Sequence, residues 1–452
     1  MRITGNPSLI TDLYELTMAA AYFENGIKRD AAFELFVRQM PPDRGYLILA
    51  GLETAIEYLA DLHFTPEEIS YLRGLEAFKD IGEDFFEYLS RFKFDCDVWA
   101  MPEGTIFFPD EPVLRVYGPT IPAQVVETYL LAAITSESMV ATKAARVVES
   151  ARGKPVADFG SRRAHGPEAA VRAARASFIG GCASTSNVYA GMRLGIPLSG
   201  TAAHSWTMMH DSEMEAFENY RKVFPSNTVL LIDTYDTIKG AKNAAKLGSA
   251  VRGVRIDSGD LLAMSREVRK ILDDAGLDGT RIIVSGDLDE YEIARLLGEG
   301  APIDAFGVGT KMVTSNDAPF LSGVYKLVEV RDPKNPKDIF PRMKLSNNKV
   351  TYPGIKQVWR KIDKDGFLAG DVISLAGETV KGATPLLDKV MERGRLLSQQ
   401  PSLTAVRDRA QKELKRLKEP YRKIRSPATY PVEFTAKIQQ ALQGLREEIT
   451  RK

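Results

Sequence analysis

The chain has 452 residues, and its 60 basic and 60 acidic side chains leave no formal net charge at pH 7. A chain without net charge has no bulk field that favours polyanions, so we expect neither nucleic acids nor anionic membranes as partners. Two cysteines, Cys96 and Cys182, are too few for a disulfide framework or a metal-ligand cluster. With no apolar run long enough to span a bilayer and no signal-peptide pattern, the sequence predicts a cytoplasmic protein of two or more domains.

Residues 1–118 mix helical and strand-like patterns, which predicts an α+β domain. In chain order, the predicted elements are a helix over 9–25, a strand over 31–41, helices over 46–62 and 83–92, and short hairpins over 97–118. The segment after residue 325 returns to strand-like patterns and ends in predicted helices over 402–418 and 432–450. The predicted domains are therefore residues 1–118, 119–325 and 326–452.

Between residues 119 and 325 a long helical stretch is followed by alternating strands and helices, which is typical of parallel strands joined by crossover helices. The strand candidates are 155–160, 196–201, 228–233, 251–259, 281–287 and 303–310. Polar residues or glycines stand at the carboxyl end of nearly every strand, and in a TIM-like barrel those ends form one rim that carries the active site. Because an open sheet would concentrate the site at one switch point, the pattern favours a (β/α) barrel.

Two glycine-containing turns, VSGDLDE (284–290) and FGVGTKM (306–312), stand where a predicted strand ends and a helix begins. Backbone N–H groups in such turns point at anions, and glycine lets a phosphate approach closely. One such turn alone is more often an ordinary strand-to-helix connection. Two of them late in a barrel match the usual place of a phosphate site and predict a phosphorylated sugar as ligand.

Carboxylates near these strand ends are candidates for chemistry. Arg255 and Asp257 lie two apart on one strand and so point to the same side, either as a structural ion pair or as a ligand clamp. A carboxylate there would bind ribose hydroxyls, or Mg²⁺ shared with a pyrophosphate. In LLIDTYD (230–236), Asp236 is predicted to cap a helix, whereas Asp233 ends the strand and would orient a histidine.

His204 follows four small residues, GTAA (200–203), which leave its imidazole exposed at the rim. Its six-residue spacing from His210 does not suit zinc, and no metal is predicted to be held by the histidines. An exposed neutral imidazole serves as a nucleophile or a general base. Phe159 offers a ring for stacking or for core packing, and Arg162 offers a fork for carboxylate or phosphate.

Several motifs, in chain order, closely resemble those of the nicotinate phosphoribosyltransferase family, a type II phosphoribosyltransferase family. They are TDLYELTM (11–18), ATKAARV (141–147), DFGSRRAHG (158–166), GTAAHSW (200–206), LIDTYDT (231–237), GVRIDSGDL (253–261), SGDL (285–288), FGVGTKMVTS (306–315) and KLSNNKVTYPGIKQVWR (344–360). The resemblance implies an irregular (β/α) TIM-like barrel and an α+β domain formed from both N- and C-terminal segments. The implied reaction joins nicotinate to 5-phosphoribosyl 1-diphosphate, gives nicotinate mononucleotide and pyrophosphate, and uses ATP and Mg²⁺ in the salvage of NAD.

The resemblance also implies roles for single residues around nicotinate. His204 would be phosphorylated by ATP, with Asp233 orienting its ring. Tyr14, reaching in from the partner of a homodimer with shared active sites, would stack the pyridine ring against Phe159. The residues implied to lie at the remaining part of nicotinate are Thr201, Arg255 and Arg162.

The same resemblance implies a site for the ribosyl diphosphate. Asp257 would take ribose hydroxyls or the Mg²⁺-bound pyrophosphate. Lys326 and Lys344 would contact pyrophosphate or ATP, or else be solvated surface residues. The residues implied to hold the 5-phosphate are Gly286, Asp287, Gly307, Gly309 and Thr310.

The nearest alternative is a nicotinamide phosphoribosyltransferase, which shares this architecture. There an aspartate receives the amide of the substrate, whereas the corresponding segment GGCASTSN (180–187) has Ser184 and Thr185 and no acid. Hydroxyls accept a carboxylate that an aspartate would repel, so nicotinate is preferred. Alternatives of other classes are a TIM-barrel sugar-phosphate lyase or isomerase, with His204 as a proton shuttle, and a non-catalytic metabolite sensor.

Overall fold

The structure is a computed structural model that describes residues 6–345 and 350–451. Backbone contacts divide the chain into two compact units: unit 1 comprises Met1–Ser138 and Phe320–Lys452, and unit 2 comprises Met139–Pro319. The first boundary falls inside a long helix, later in the chain than the boundary predicted after residue 118. In the described ranges, no helix is both long and apolar enough to cross a membrane.

Helices and strands alternate along much of the chain. The N-terminal part contains α1 (Leu13–Glu24), β1 (Asp30–Val37), β2 (Leu47–Ile48), α2 (Leu52–Asp61), α3 (Pro66–Arg73), α4 (Glu83–Ser90), β3 (Asp97–Ala100), β4 (Ile106–Phe107), β5 (Leu114–Pro119) and α5 (Thr120–Gln124). The middle part contains α6 (Glu127–Ser150), β6 (Val156–Asp158), α7 (Pro167–Ile179), β7 (Ser184–Thr185), α8 (Val188–Leu194), α9 (His204–Met208), α10 (Glu213–Val223), β8 (Thr228–Leu231), α11 (Thr237–Ala245), β9 (Val251–Ile256), α12 (Leu261–Asp274), β10 (Arg281–Val284), α13 (Glu290–Gly298), β11 (Ala305–Val308) and α14 (Thr310–Val313). The C-terminal part contains β12 (Gly323–Asp332), β13 (Asn335–Pro341), β14 (Lys356–Ile362), β15 (Leu368–Leu375), β16 (Ala383–Pro385), β17 (Asp388–Glu392), β18 (Arg395–Leu396), α15 (Leu403–Arg416), α16 (Glu419–Arg422), β19 (Val432–Phe434) and α17 (Ala436–Arg451).

Most predicted elements are present, with bounds shifted by a few residues. Two predicted helices are wrong at their N-terminal ends: the one over 46–62 begins at Leu52, after strand β2, and the one over 432–450 begins at Ala436, after strand β19. One predicted strand is wrong: residues 196–201 form no strand, and Leu198 makes only an isolated parallel bridge with Thr185. The strand at this place is β7, which the sequence analysis missed because a two-residue run shows no alternation. The predicted cap of α11 is confirmed, since the Asp236 carboxylate accepts a hydrogen bond from the backbone N–H of Lys239 at 2.7 Å.

Unit 1 is built on a seven-stranded sheet in the order β13-β12-β1-β5-β3-β17-β18. Strand β1 pairs antiparallel with β12 and with β5, so strands from both ends of the chain share one sheet. A four-stranded sheet, β16-β14-β15-β19, and the pair β2-β4 also belong to this unit. A buried ion pair joins β14 to β1: Lys356 Nζ lies 2.8 Å from Glu34 Oε2, and the side chains are 3% and 0% exposed.

Unit 2 is built on six parallel strands in the order β7-β6-β11-β10-β9-β8. Within the described residues, the outer strands β7 and β8 are not paired with each other, so the sheet is a parallel half-barrel. One face of the sheet carries buried aliphatic side chains such as Val254, Ile282 and Val284. They join a core cluster with Val268 of α12 and Ile293 of α13, which holds the crossover helices against the sheet.

The other face of this sheet borders a cavity of about 940 Å³. Its walls include Ala157, Val229, Ile283 and Ala305, which come from four different strands. Two of these side chains are single methyl groups, which fill little of the space beside the sheet. The cavity extends to Phe159 and Thr201, two of the predicted site residues.

Candidate active site

The carboxyl ends of the parallel strands of unit 2 lie at one edge of the sheet, as parallel pairing requires. Five residues follow these ends within two positions and are therefore gathered along that edge. They are Phe159 after β6, Asp233 after β8, Asp257 after β9, Ser285 after β10 and Gly309 after β11.

Arg255 is held in one direction by hydrogen bonds to three other residues. Its Nη2 donates to Asp257 Oδ1 at 2.6 Å, its Nε to Ser285 Oγ at 2.8 Å and its Nη1 to Thr201 Oγ1 at 2.9 Å. The guanidinium carbon also lies 5.4 Å from the centre of the Phe159 ring. A planar fork fixed in this way is a preorganised cation, of the kind that recognises a carboxylate. The predicted same-side arrangement of Arg255 and Asp257 is present as an ion pair.

Asp257 is an anion at neutral pH. Burial on its own would raise the pKa of its carboxyl, but the hydrogen bond from Ser285 and the charge of Arg255 outweigh burial and bring the pKa below its ordinary value. Oxygen Oδ1 is occupied by these two donors, whereas Oδ2 faces His204. The second oxygen is thus the one that Ser285 and Arg255 leave without a donor.

His204 is the first residue of helix α9, and its side chain is 41% exposed, as the small residues before it predicted. Its Nδ1 lies 3.3 Å from Thr234 Oγ1, and its Nε2 lies 3.9 Å from Asp257 Oδ2. The second histidine of the segment is turned to local structure, since His210 Nδ1 bonds to the Trp206 carbonyl at 2.8 Å. Among the residues that the structure describes, no three His, Cys, Asp or Glu side chains form a metal-binding group.

Asp233 supports the loop that carries Asp257. Its Oδ2 accepts hydrogen bonds from the backbone N–H of Asp257 at 2.9 Å and from Ser258 Oγ at 2.6 Å. Its Oδ1 is buried and accepts no hydrogen bond from the described residues. No hydrogen bond or ion pair joins Asp233 to His204 in this part of the chain; the groups nearest the imidazole belong to Thr234 and Asp257.

The first glycine turn, residues 285–287, has a backbone that only glycine fits at its centre. Gly286 has a φ of +89°, and a Cβ atom there would lie 2.0 Å from the carbonyl oxygen of Asp257. The next residue, Asp287, also has a positive φ, of 44°. Both residues are exposed, which leaves the turn accessible to an anion.

The second glycine turn packs against Phe159. Gly307 is buried in β11, and a Cβ atom there would lie 2.4 Å from the Phe159 ring. At Gly309 a Cβ atom would lie 3.0 Å from the Phe159 carbonyl oxygen. Gly309 and Thr310 stand at the start of α14, where the first backbone N–H groups have no partner within the helix itself. The two glycines therefore differ in what they contact: Gly307 leaves space for the Phe159 ring, and Gly309 lies against the Phe159 backbone.

The turn that carries Phe159 is fixed by a buried carboxylate. Asp158 accepts hydrogen bonds from the backbone N–H of Gly160 at 2.8 Å and from Thr185 Oγ1 at 2.7 Å. Burial raises the pKa of Asp158 despite these two donors. Thr185 is buried by this contact, whereas Ser184 lines the cavity. Arg162 follows in a short 3-10 helix and is exposed.

Three of the predicted residues belong to unit 1. Tyr14 lies on α1 and is 45% exposed; burial of its hydroxyl and the nearby carboxylates of Glu127, Glu15 and Asp12 raise the pKa of the phenol above its ordinary value. Lys326 on β12 lies 3.6 Å from Glu127. Lys344 is exposed, and residues 346–349 of its motif lie outside the described residues.

Comparison with known proteins decides the family. Residues 9–135 match the N-terminal domain of nicotinate phosphoribosyltransferase, residues 155–338 match the nicotinate phosphoribosyltransferase family, and residues 379–442 match its C-terminal domain. A nicotinate phosphoribosyltransferase of Mycobacterium tuberculosis is 44% identical over 451 residues, which cover 98% of this chain and 95% of the relative. The chain belongs to the nicotinate phosphoribosyltransferase family. The Bacillus subtilis member is 39% identical, with 95% of this chain and 93% of the relative covered.

The fold of this chain is also similar to the folds of solved structures. The crystal structure of human nicotinic acid phosphoribosyltransferase superposes with a TM-score of 0.84 at 31% identity and covers 96% of this chain and 99% of that chain. The nicotinate-nucleotide pyrophosphorylase from Pyrococcus furiosus gives a TM-score of 0.73 at 27% identity, with 91% and 96% covered. The family fold therefore extends over nearly the whole chain.

Sequence reasoning assigned no role to three hydroxyl residues that contact the predicted site residues. Ser285 bridges Arg255 and Asp257, while Thr234 and Ser258 contact the predicted His204 and Asp233, respectively. Each hydroxyl lies within three residues after a strand end, and that position is the signal that the sequence contains. Each contact also involves a partner from a different element, so it depends on how the elements are arranged in unit 2.

Proposed function

We propose that this protein is a nicotinate phosphoribosyltransferase that acts on nicotinate and 5-phosphoribosyl 1-diphosphate. The pyridine nitrogen forms the new bond to C1 of the ribose while the bond from C1 to the diphosphate breaks, which gives nicotinate mononucleotide and pyrophosphate. Family membership supports this reaction. The observation that carries its assignment to this site is Arg255, a cation fixed by three hydrogen bonds beside an aromatic ring.

In this proposal the carboxylate of nicotinate binds at Arg255 and Thr201. The guanidinium supplies charge and direction, and the pyridine ring stacks on Phe159, which lies beside it. Arg162, three residues after Phe159, adds a second cation near the same carboxylate. Nicotinamide has no charge to pair with Arg255, so it gains less from this subsite.

The ribosyl diphosphate is proposed to bind along the strand ends. Asp257, kept ionised by Ser285 and Arg255, accepts hydrogen bonds from ribose hydroxyls and stabilises the positive charge that develops on the ribose as the diphosphate leaves. The 5-phosphate binds backbone N–H groups of the two glycine turns. The turn residues in contact with it are proposed to be Gly286, Asp287, Gly309 and Thr310, with Gly307 next to them.

Two oxygens at this edge suit the Mg²⁺ that the family reaction implies. Asp257 Oδ2 and the buried Asp233 Oδ1 accept no hydrogen bond from the described residues. Mg²⁺ takes one or two protein carboxylates and completes its coordination with waters and substrate phosphates. When bound, Mg²⁺ neutralises charge on the diphosphate. Asp233 would hold the Asp257 loop in place as well, through its second oxygen.

His204 is proposed to be the phosphoryl acceptor that couples ATP hydrolysis to the reaction. In the tautomer that donates from Nδ1 to Thr234, Nε2 has a free lone pair. Nε2 attacks the γ-phosphorus of ATP, the bond to the bridging oxygen breaks, and ADP leaves. Water later breaks the nitrogen–phosphorus bond, which returns the imidazole and inorganic phosphate.

We further propose that unit 2 is an irregular barrel and that the protein is a cytoplasmic homodimer with shared active sites. An apolar group of exposed side chains in unit 2 supports an interface: Val188, Met192 and Leu198 are 70%, 71% and 54% exposed. Val188 and Met192 lie one turn apart on α8, and Leu198 packs against Gly191 of the same helix. Tyr14, exposed in unit 1, is the residue proposed to complete the partner's pyridine site.

Release of pyrophosphate tests the proposed function. We expect release only when 5-phosphoribosyl 1-diphosphate and a pyridine are both present, and ATP should increase it. Because Arg255 pairs with a carboxylate, kcat/KM for nicotinate should exceed that for nicotinamide by about tenfold or more. Equal or better use of nicotinamide would favour the nicotinamide enzyme. Turnover of a sugar phosphate without any pyridine would favour a lyase or isomerase.

A further inference from the structure

The motif ATKAARV (141–147) in helix α6 contributes no residue to the proposed reaction, yet it places two cations inside unit 2. The side chains of Lys143 and Arg146 are each 1% exposed. They lie three residues apart and so occupy one face of the helix. Buried cations are strongly unfavourable unless anions and hydrogen bonds compensate them, so their partners define what they do.

Both cations contact Glu290, the first residue of helix α13. Lys143 Nζ lies 2.6 Å from Glu290 Oε2, and Arg146 Nε donates to Oε1 at 2.8 Å. Arg146 Nη2 also donates to the hydroxyl of Tyr291 at 3.1 Å. Glu290 is fully buried, and it follows the glycine turn 285–287 by three residues. The cations of α6 therefore fix the start of the helix into which the first glycine turn leads.

A second set of ion pairs leads to the other glycine turn. Lys143 Nζ lies 2.7 Å from Asp317 Oδ1, a few residues beyond α14. Within α14, Lys311 Nζ lies 2.9 Å from Asp289 Oδ2. Asp289 is the N-cap of α13, since it accepts hydrogen bonds from the backbone N–H groups of its second and third residues, Tyr291 and Glu292. The start of α13 is thus joined directly to α14 through Lys311, and to α6 through Lys143, which also contacts the segment after α14.

We propose that Lys143 and Arg146 are positioning residues that set the separation of the two glycine turns. This inference rests on the proposed function, in which the turns hold the 5-phosphate of the ribosyl diphosphate. A phosphate bound by N–H groups from two turns requires both at the correct distance, and small misplacement of such groups lowers turnover strongly. Glu290 pairs with both buried cations, and the partly exposed Asp317 supplies a second anion to Lys143, so the two cations are compensated.

The test compares Lys143→Met with a matched variant in unit 1, Lys356→Met. Both lysines are buried and pair with a buried glutamate, at 2.6 and 2.8 Å, so both substitutions should lower the thermal unfolding temperature. Only Lys143→Met should raise KM for 5-phosphoribosyl 1-diphosphate, by about tenfold, with KM for nicotinate within about twofold of wild type. Titration calorimetry with ribose 5-phosphate should show a matching loss of affinity.

A milder variant, Asp317→Asn, keeps the inference testable if Lys143→Met does not fold, because Asp317 is 27% exposed and its substitution leaves the Lys143–Glu290 ion pair in place. It should raise the same KM by a smaller factor. Wild-type protein that binds no ribose 5-phosphate and releases no pyrophosphate would overturn the proposed function and this inference together. Wild-type binding that persists unchanged in Lys143→Met and Asp317→Asn would overturn the inference alone.

Discussion

At the scale of single residues, the site depends on one arginine whose direction is fixed before a ligand arrives. Three different acceptors bind three different nitrogens of Arg255, and two of the acceptors come from other segments of the chain. A lysine has one nitrogen and no planar fork, so it cannot satisfy Ser285, Thr201 and Asp257 in these directions. The site should therefore distinguish arginine from lysine although both carry one positive charge.

Arg255→Lys should raise KM for nicotinate and lower kcat/KM by about tenfold to a hundredfold, because hydrogen bonds to a charged group are lost. Steady-state assays with each substrate varied in turn would measure it. Arg252→Lys is the matched control, since Arg252 is exposed on the same strand. Equal effects of the two substitutions, or no effect at Arg255, would contradict the assignment of the carboxylate subsite.

The ionisation of Asp257 leads to a prediction about pH. Ser285 is a main reason why the pKa of Asp257 is below its ordinary value, so Ser285→Ala should raise that pKa. Because Asp257 acts as an anion, the acid limb of kcat/KM against pH should move to higher pH. Folding stability should change in the same direction. Asp257 contributes stability above the pKa that it has in the unfolded state, and this contribution is lost as the pH falls through its lower pKa in the folded state.

Profiles of kcat/KM and of the unfolding temperature between pH 3 and pH 7 would measure both effects. Ser265→Ala provides the control, because Ser265 is also a buried serine of unit 2 but donates only to the Leu262 carbonyl. An acid limb that stays in place in Ser285→Ala would show that Asp257 does not set it.

Contacts between residues of one strand or helix could be predicted from the sequence. Arg255 and Asp257 were placed side by side from strand alternation, and their contact at 2.6 Å confirms it. Ser285 and Thr234 were missed because their partners, Arg255 and His204, lie on another strand and on a helix. The expectation that Asp233 orients the imidazole stays a prediction, since its carboxylate bonds to the Asp257 loop here.

At the scale of elements, the turn after β10 is the most demanding backbone of the site. Gly286→Ala combines a positive φ with a methyl group 2.0 Å from the Asp257 carbonyl oxygen. We expect a loss of about 2–4 kcal/mol in the free energy of unfolding, and a loss of activity, because the Asp257 loop must move. Thermal and urea unfolding with parallel assays would measure both.

Gly276→Ala is a control that separates the effect of the positive φ from the effect of the steric clash. Gly276 also has a positive φ, of 71°, but a Cβ atom there meets nothing within 4 Å. This substitution should cost about 1 kcal/mol and leave activity intact. If Gly286→Ala cost no more than Gly276→Ala, the close approach to Asp257 would not matter in solution.

Elements of ordinary length were predictable, and very short ones were not. Helices α12 and α13 showed clear periodicity and begin at aspartate caps, Asp260 and Asp289. Strand β7 has two residues, too few for a period, whereas the sequence pattern predicts a strand over 196–201. Its residues lie extended beside β7 with a single bridge from Leu198.

At the scale of the whole molecule, local patterns alone do not determine which strands become neighbours. The pairing of β1 with β12 joins segments about three hundred residues apart, and it was expected only from the family resemblance. The alternation of unit 2 predicted parallel strands correctly. It did not predict the half-barrel or the cavity on its open face, because both depend on which strands meet and how small their side chains are.

The proposed shared active site predicts that two inactive variants restore each other. Tyr14→Ala and His204→Ala homodimers should each have little activity. Mixed after unfolding and refolding together, half of the dimers combine one chain of each, and one of their two sites is intact, so about a quarter of wild-type activity should return. No recovery in heterodimers isolated through a different affinity tag on each variant would mean that each chain completes its own site.

Labelling with ATP is the most direct test of whether His204 carries a phosphoryl group. Wild-type protein incubated with γ-labelled ATP should acquire an acid-labile label, and hydrolysis should release it as inorganic phosphate. His204→Ala should acquire none, whereas His210→Ala should label like wild type, because His210 bonds to the Trp206 carbonyl. Wild-type protein that stays unlabelled, or label that persists in His204→Ala, would contradict the account.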